Sequence, residues 1–213
     1  MARTKREGTD RTAGGLFWKP SLTKAEAIPV KGYWVGLLLA AQVSGQPAVA
    51  TVNVCVEHSC LDRLTLQMAQ RVVDSIYRRI GVDIEWSCAH SSFERQIDIR
   101  FIKSVVKGRS RTALAFTAPS EGRTAWILVS RLHQLPAANR EPAIGYLMAH
   151  EMGHLLQGVA RHSVRGIMKA SWTAHDCYLM GKETLTFEPE DVDLIHRGLR
   201  QRMIARVTRE TQP

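Results

Sequence analysis

The sequence predicts an α/β fold of the mixed α+β kind. A twisted sheet of about four strands should pack on a long first helix, a second helix near residue 150 and a C-terminal helix. Three observations predict it. Short β-branched segments alternate with period two, apolar residues recur at helical spacing between two of those segments, and a later stretch starts with proline and stops at glycine.

In chain order, residues 51–57 (TVNVCVE) alternate and read as the first strand. Residues 61–80 place Leu61, Leu64, Met68, Val72, Ile76 and Ile80 on one helical face, and Gly81 follows as a stop. Residues 82–86, 96–105 and 124–130 are the next three strands, separated by a loop at 107–111 and a turn at 118–123. Strand, helix, strand in succession is most simply a crossover into a parallel pair. Residues 142–157 form the second helix, with Pro142 in its first turn and Gly158 placed to end it. After an irregular stretch, residues 189–207 carry Val192, Ile195, Leu199 and Ile204, with acids between Glu188 and Asp193 suited to a helix N-terminus.

The chain has 213 residues, 45% hydrophobic and 23% charged, which excludes collagen-like and disordered classes. Its net charge of +9 raises the question of nucleic acid. Seven basic and only three acidic residues fall within the first fifty, however, and no dense basic block follows. Nucleic-acid binding is therefore not expected.

Residues 1–50 are expected to be a leader rather than fold. A basic residue at Lys31, an apolar run over 33–41 and small residues at Ala48 and Ala50 have the layout of a secretory signal peptide across about residues 30–50. Residues 1–29 are then expected to precede the true translation start, near Val30. Residues 51–213 make one domain without internal repeats, exported to the periplasm or the extracellular space; it stays membrane-anchored only if the apolar segment is not cleaved. The four cysteines, Cys55, Cys60, Cys88 and Cys177, all lie beyond that segment and allow two disulfides in three pairings. A helix leaving Cys60 and a strand returning to Cys88 slightly favour that pair.

The chemistry concentrates at His150-Glu151-Met152-Gly153-His154. Residues four apart on a helix share a face, so the two imidazoles can hold one ion while Glu151 stands beside it as a general base. With eight histidines in the chain, chance yields this pattern in about two sequences per hundred of the same composition. Gly158, His162 and Met168 follow. Gly158 can turn the chain back, which lets His162 approach as third ligand and leaves one coordination position for water. His175, Asp176, Glu183 and Glu188 are the alternative third ligands.

The run HEMGHLLQGVARHSVRGIM resembles the extended motif of the metzincin clan of zinc metallopeptidases, H-E-x-x-H-x-x-G-x-x-H with a following Met-turn. It is similar, more closely, to small exported bacterial zinc peptidases with a histidine–serine to glycine–isoleucine–methionine segment. The resemblance implies a zincin-like fold, Zn2+ held by His150, His154 and His162, Glu151 as catalytic base, and Met168 as an apolar floor. It also implies a peptide or protein substrate paired with an edge strand at residues 125–129. His175 and Tyr178 are candidates to polarise the substrate carbonyl in the transition state, and Tyr146 shares a face with His150. Gly158 comes one residue later than the clan's pattern and His162 two later, so the helix is expected to run on by a residue. The expected activity is peptide hydrolysis by a zinc-activated water with Glu151 as general base. A catalytically silent metal-binding or protein-interaction relative is the alternative, against which the intact Glu151 argues.

Overall fold

The computed structural model describes residues 15–18, 50–57, 60–88, 96–103, 113–118 and 123–210. The signal segment, apart from Ala50, lies outside the described residues, as do His58, His90 and the loop at 107–111. The mixed α/β architecture expected from the sequence is the one observed, with more strands than the four foreseen.

Strands β1 (Gly15–Trp18), β2 (Ala50–Glu57), β3 (Val82–Trp86), β4 (Gln96–Ile102), β5 (Ala113–Thr117), β6 (Thr124–Leu128) and β7 (Ser171–Trp172) form a sheet of order β3-β2-β4-β6-β5-β1-β7. Strands β3, β2, β4 and β6 are mutually parallel. β5 is antiparallel to β6, while β1 runs antiparallel to β5 and parallel to β7. Within β2, Val52, Val54 and Cys55 are buried, and in β4 the alternate residues Ile97, Ile99 and Phe101 are buried. β5 (ALAFT) is buried at every position, so it lacks the alternation by which the other strands are recognised. β1 arises within the segment expected to be leader.

Helix α1 (Arg63–Arg78) starts at Asp62, whose carboxylate accepts the Thr65 N–H at 2.9 Å and satisfies one of the open donors of the first turn. Its buried face is Ala69, Val72, Val73, Ile76 and Tyr77. Leu64 and Met68, assigned to that face from their spacing, are 64% and 39% exposed. The stripe is rotated because Tyr77 reaches inward to donate from its hydroxyl to the Ala149 carbonyl at 3.0 Å.

Helix α2 (Arg140–Gln157) begins two residues before the expected proline and is buried from Ala143 through Gln157. It lies in the centre of the molecule, enclosed by α1, α3 (Ala174–Gly181), α4 (Pro189–Glu210) and the sheet. Such enclosure needs close backbone approach. A Cβ at Gly145 would meet Val72 and the Ala69 carbonyl at 2.6 and 2.7 Å, and one on Gly198 of α4 would fall 1.8 Å from the Leu156 carbonyl. Both glycines are helical crossing points.

Two sequence expectations are corrected here. The disulfide joins Cys55 to Cys88, not Cys60 to Cys88, with 4.6 Å between the Cα atoms. Cys55 lies inside β2 and Cys88 just past the end of the neighbouring β3, whereas Cys60 lies beyond the end of β2. Cys177 is a buried thiol pushed up to about 12 by desolvation. The second correction concerns the edge strand. Residues 125–129 belong mostly to β6, which is an interior strand between β4 and β5, so its main-chain groups are already paired.

Candidate metal centre

α2 carries His150 and His154 one turn apart on its inner face. It ends at Gly158, whose φ of +70° a side chain would resist and whose N–H donates to the His154 carbonyl at 3.0 Å. The helix does run a residue further than the resemblance alone would place it. From there the chain doubles back. The Ser163 N–H donates to the Met168 carbonyl at 2.9 Å, closing a loop that returns His162 to the other histidines.

The three rings meet. His150 and His154 centroids are 4.7 Å apart, His150 and His162 5.4 Å, His154 and His162 4.9 Å. One nitrogen from each lies within 4.8 Å of the others. Hydrogen bonds set the tautomers. His150 Nδ1–H donates to the Ile167 carbonyl at 2.8 Å, and His154 Nδ1–H donates to the Val159 carbonyl at 3.3 Å. Carbonyls only accept, so both rings present bare Nε2 lone pairs, and those two atoms stand 3.0 Å apart. The Nε2 of His162 is buried without a partner.

Two facing lone pairs repel unless a cation lies between them. A proton could serve only if one ring were imidazolium, and burial opposes that. Desolvation holds His150 well below its ordinary value and His154 down at about 4, and it lowers His162 as well. Neutral imidazoles are what a divalent ion needs. Nitrogens at about 2.0–2.1 Å from a tetrahedral zinc lie about 3.3 Å from one another, so the observed pair needs little adjustment.

Glu151 follows His150 and is fully buried, with no hydrogen-bond partner for either carboxylate oxygen. Desolvation raises its carboxyl well above the usual range. A carboxylate left so bare is costly unless another group occupies the space before it. Three imidazole nitrogens with an orphaned carboxylate beside them are the donor set of a zinc site with one position open. On these observations the residues fit Zn2+.

The surroundings include residues that sequence reasoning missed. Trp172 packs edge-on to His150, centroids 5.8 Å apart, and its indole N–H donates at 3.3 Å to the same Ile167 carbonyl that orients His150. Met168 is fully buried. No spacing rule announces a tryptophan four residues past the methionine; its role appears only when β7 is laid against the helix.

The alternative ligands are elsewhere. His175 and Glu183 are exposed. Asp176 is engaged by Lys169 and by the backbone and hydroxyl of Thr173, which it caps at the start of α3. Glu188 faces Arg165 at 3.8 Å. Tyr178 is exposed and stacks on His175 at 6.4 Å. Tyr146 is a core residue, fully buried, its hydroxyl pushed up to about 12 by desolvation. Of the other described histidines, His133 is exposed, while His196 is partly buried and donates from its ring to the Ile80 carbonyl at 2.7 Å.

Fold and site together define an α/β protein with a buried three-histidine centre suited to a divalent metal. No protein-family model matches the chain, and no curated protein matches it. Among solved structures it is similar to the archaemetzincin of Methanopyrus kandleri, with a TM-score of 0.49 and 14% identity over 71% of this chain and 96% of that one. The archaemetzincin of Archaeoglobus fulgidus matches with a TM-score of 0.45 and 14% identity, covering 68% of this chain and 99% of that chain. A zinc-dependent peptidase from Methanocorpusculum labreanum gives 0.48 and 10%, covering 68% and 99%. These likenesses concern the course of the backbone; the chemistry is read from the histidines themselves.

Proposed function

We propose that this chain is an exported zinc-dependent metallopeptidase. The observation that carries the proposal is the opposed pair of Nε2 lone pairs on His150 and His154, 3.0 Å apart in a buried site and fixed by carbonyls behind both rings. His162 completes the set from the returning loop.

When bound, zinc supplies Lewis-acid polarisation of the scissile carbonyl and brings the pKa of water toward about 7. Glu151, the bare carboxylate next to the histidines, takes the proton of the attacking water and hands it to the departing amine. His150, His154 and His162 stay neutral throughout, and the Ile167 and Val159 carbonyls keep the first two in the tautomer that frees Nε2. Trp172 and Met168 supply apolar walls that exclude water other than the reactant.

The substrate needs an unpaired strand edge near these groups. β5 is paired on its outer side by β1, beyond which β7 carries Trp172 against His150, so both β5 and β7 offer an open edge once β1 leaves the sheet. An extended peptide entering between them would run antiparallel to β5 and parallel to β7, the path that β1 follows. Export is supported by the Cys55–Cys88 disulfide, which persists in oxidising compartments. Among the described residues no helix is long and apolar enough to cross a membrane.

The test is metal content and caseinolysis of one preparation. About one zinc per chain and hydrolysis that stops with chelator and returns with zinc are expected. Stoichiometric zinc without hydrolysis would favour the silent metal-binding alternative.

A further inference from the structure

His162 sits on a loop, yet a third ligand must be aimed as accurately as the two on the helix. Beside that loop stands a buried carboxylate on another helix. Asp191, in the first turn of α4, is fully buried. Its Oδ1 accepts from Arg161 Nη1 at 2.8 Å and from Ser163 Oγ at 2.6 Å, and its Oδ2 accepts the Glu188 N–H at 3.3 Å. Arg161 also donates to Ser163 Oγ at 3.3 Å and pairs with Glu190. Thus the residues immediately before and after His162 are tied to one oxygen atom.

The geometry follows from chain alternation. Side chains two apart on an extended segment point to one side and the residue between them points to the other. With Arg161 and Ser163 both drawn to Asp191, the imidazole between them is turned away from α4, toward His150 and His154. The N-terminal end of α4 favours a negative charge at Asp191, so the anchor suits its place in the helix. α4 is in turn packed directly on α2 at Gly198 and Leu156. The helix bearing two ligands and the loop bearing the third are therefore referenced to one another through α4.

We propose that Asp191 is a positioning residue for the metal centre: by holding Arg161 and Ser163 it orients His162 Nε2 toward the other two ligands. The inference rests on the three-histidine reading of the site. Asp191 acts through Arg161 and Ser163, and none of the three belongs to the group of three histidines that could hold the ion.

The experiment measures zinc affinity by competition with a chromophoric chelator and the visible spectrum of the Co2+ form, on the full chain. Asp191→Ala should weaken zinc about 10–100-fold and lower the intensity of the Co2+ bands as four-coordination is lost, with the helical circular dichroism retained. Asp191→Asn keeps an acceptor oxygen and should remain within about threefold of wild type. Glu190→Gln removes the exposed half of the Arg161 pairing and should leave affinity unchanged. The decisive comparison is in the His162→Ala background, where adding Asp191→Ala should weaken zinc no further, since its effect is exerted through that ring. An equal loss in both backgrounds, or no loss in either, overturns the proposal. Should Asp191→Ala not fold, Ser163→Ala removes one tether and must show a smaller loss that likewise vanishes without His162; failing that, the proposal falls. A wild-type chain that binds no zinc overturns the metal reading itself, a result distinct from any of these.

Discussion

Gly153 lies directly over Met168: a Cβ placed on the glycine would stand 2.6 Å from the methionine Sδ and 3.3 Å from its Cε. The residue between Met152 and His154 is thus small because the methionine of the returning loop fills the space beside it. Gly153→Ala keeps the helix, and alanine is the better helix former, yet it drives Met168 out of its position. Met168 follows the Ile167 whose carbonyl orients His150, so both fold and site are affected. A stability loss of about 1–3 kcal/mol is expected, as for overpacked cores, together with weaker zinc binding. Urea unfolding and metal titration check both; an unaltered or stabilised variant would show that the contact relaxes freely.

Glu151→Gln separates catalysis from metal binding. The amide has the shape of the carboxylate but cannot accept the proton, so turnover should fall by at least about 10²–10⁴-fold while zinc stoichiometry is retained. Because no protein group hydrogen-bonds to either carboxylate oxygen of Glu151, the variant should be no less stable than wild type after zinc is stripped by chelator. Rate measurements with metal analysis on the same sample decide it, and residual hydrolysis at the wild-type rate would remove Glu151 from the mechanism.

The pH dependence has a definite sign. His154 titrates near 6.5 when unfolded and is held down to about 4 in the fold by desolvation first and by neighbouring His162 second. Above pH 6.5 neither state carries the proton. From there down to about pH 4 the unfolded chain is protonated and the folded one is not, so stability falls as the pH drops. The metal-free protein should lose about 3 kcal/mol from this group alone across that window. His150, shifted in the same direction, adds to the loss. Denaturant titrations at pH 7, 5.5 and 4 measure it, and flat stability over that range would contradict the burial of these rings.

Removing the N-terminal residues tests the strand edge. A chain beginning at Ala50 lacks β1 and leaves β5 and β7 open to a peptide. Its caseinolytic rate should exceed that of the full chain several-fold. A peptide spanning residues 13–20 should inhibit the shortened form competitively. Equal rates for the two chains, without inhibition, would place substrate elsewhere.

Reduction of Cys55–Cys88 tests the staple. The bond spans 33 residues, and the entropy of closing such a loop corresponds to about 4 kcal/mol. Cys88→Ala should be destabilised by up to that amount, with the zinc site intact once folded. Equal stability under oxidising and reducing conditions would mean that the bond does not form in solution.

Much of the centre was legible without coordinates because helical spacing is a local property. His150, Glu151 and His154 are four residues apart or less, and Gly158 marks the turn by its own backbone freedom. The parallel strands β2, β3, β4 and β6 announce themselves by alternation. The rest is non-local. β5 has no alternation because it is buried along its whole length, and the expected edge strand became an interior one once β5 paired beside it. The cysteine pairing depended on strand ends lying side by side, which distance along the chain does not report. Leu64 and Met68 have helical spacing, yet the buried face was chosen by what α2 offers, with Tyr77 reaching Ala149.

From the linear chain alone come the pair of imidazoles on one helix face, the neighbouring carboxylate and the glycine that ends the helix, since each depends only on geometry within a few residues. Folding in three dimensions decided that His162 meets that pair, that Trp172 and Ile167 back His150, and that Asp191 holds the loop. Those contacts join segments about 10–30 residues apart, and only the burial of α2 at the centre of the packed layers brings them within reach of one another.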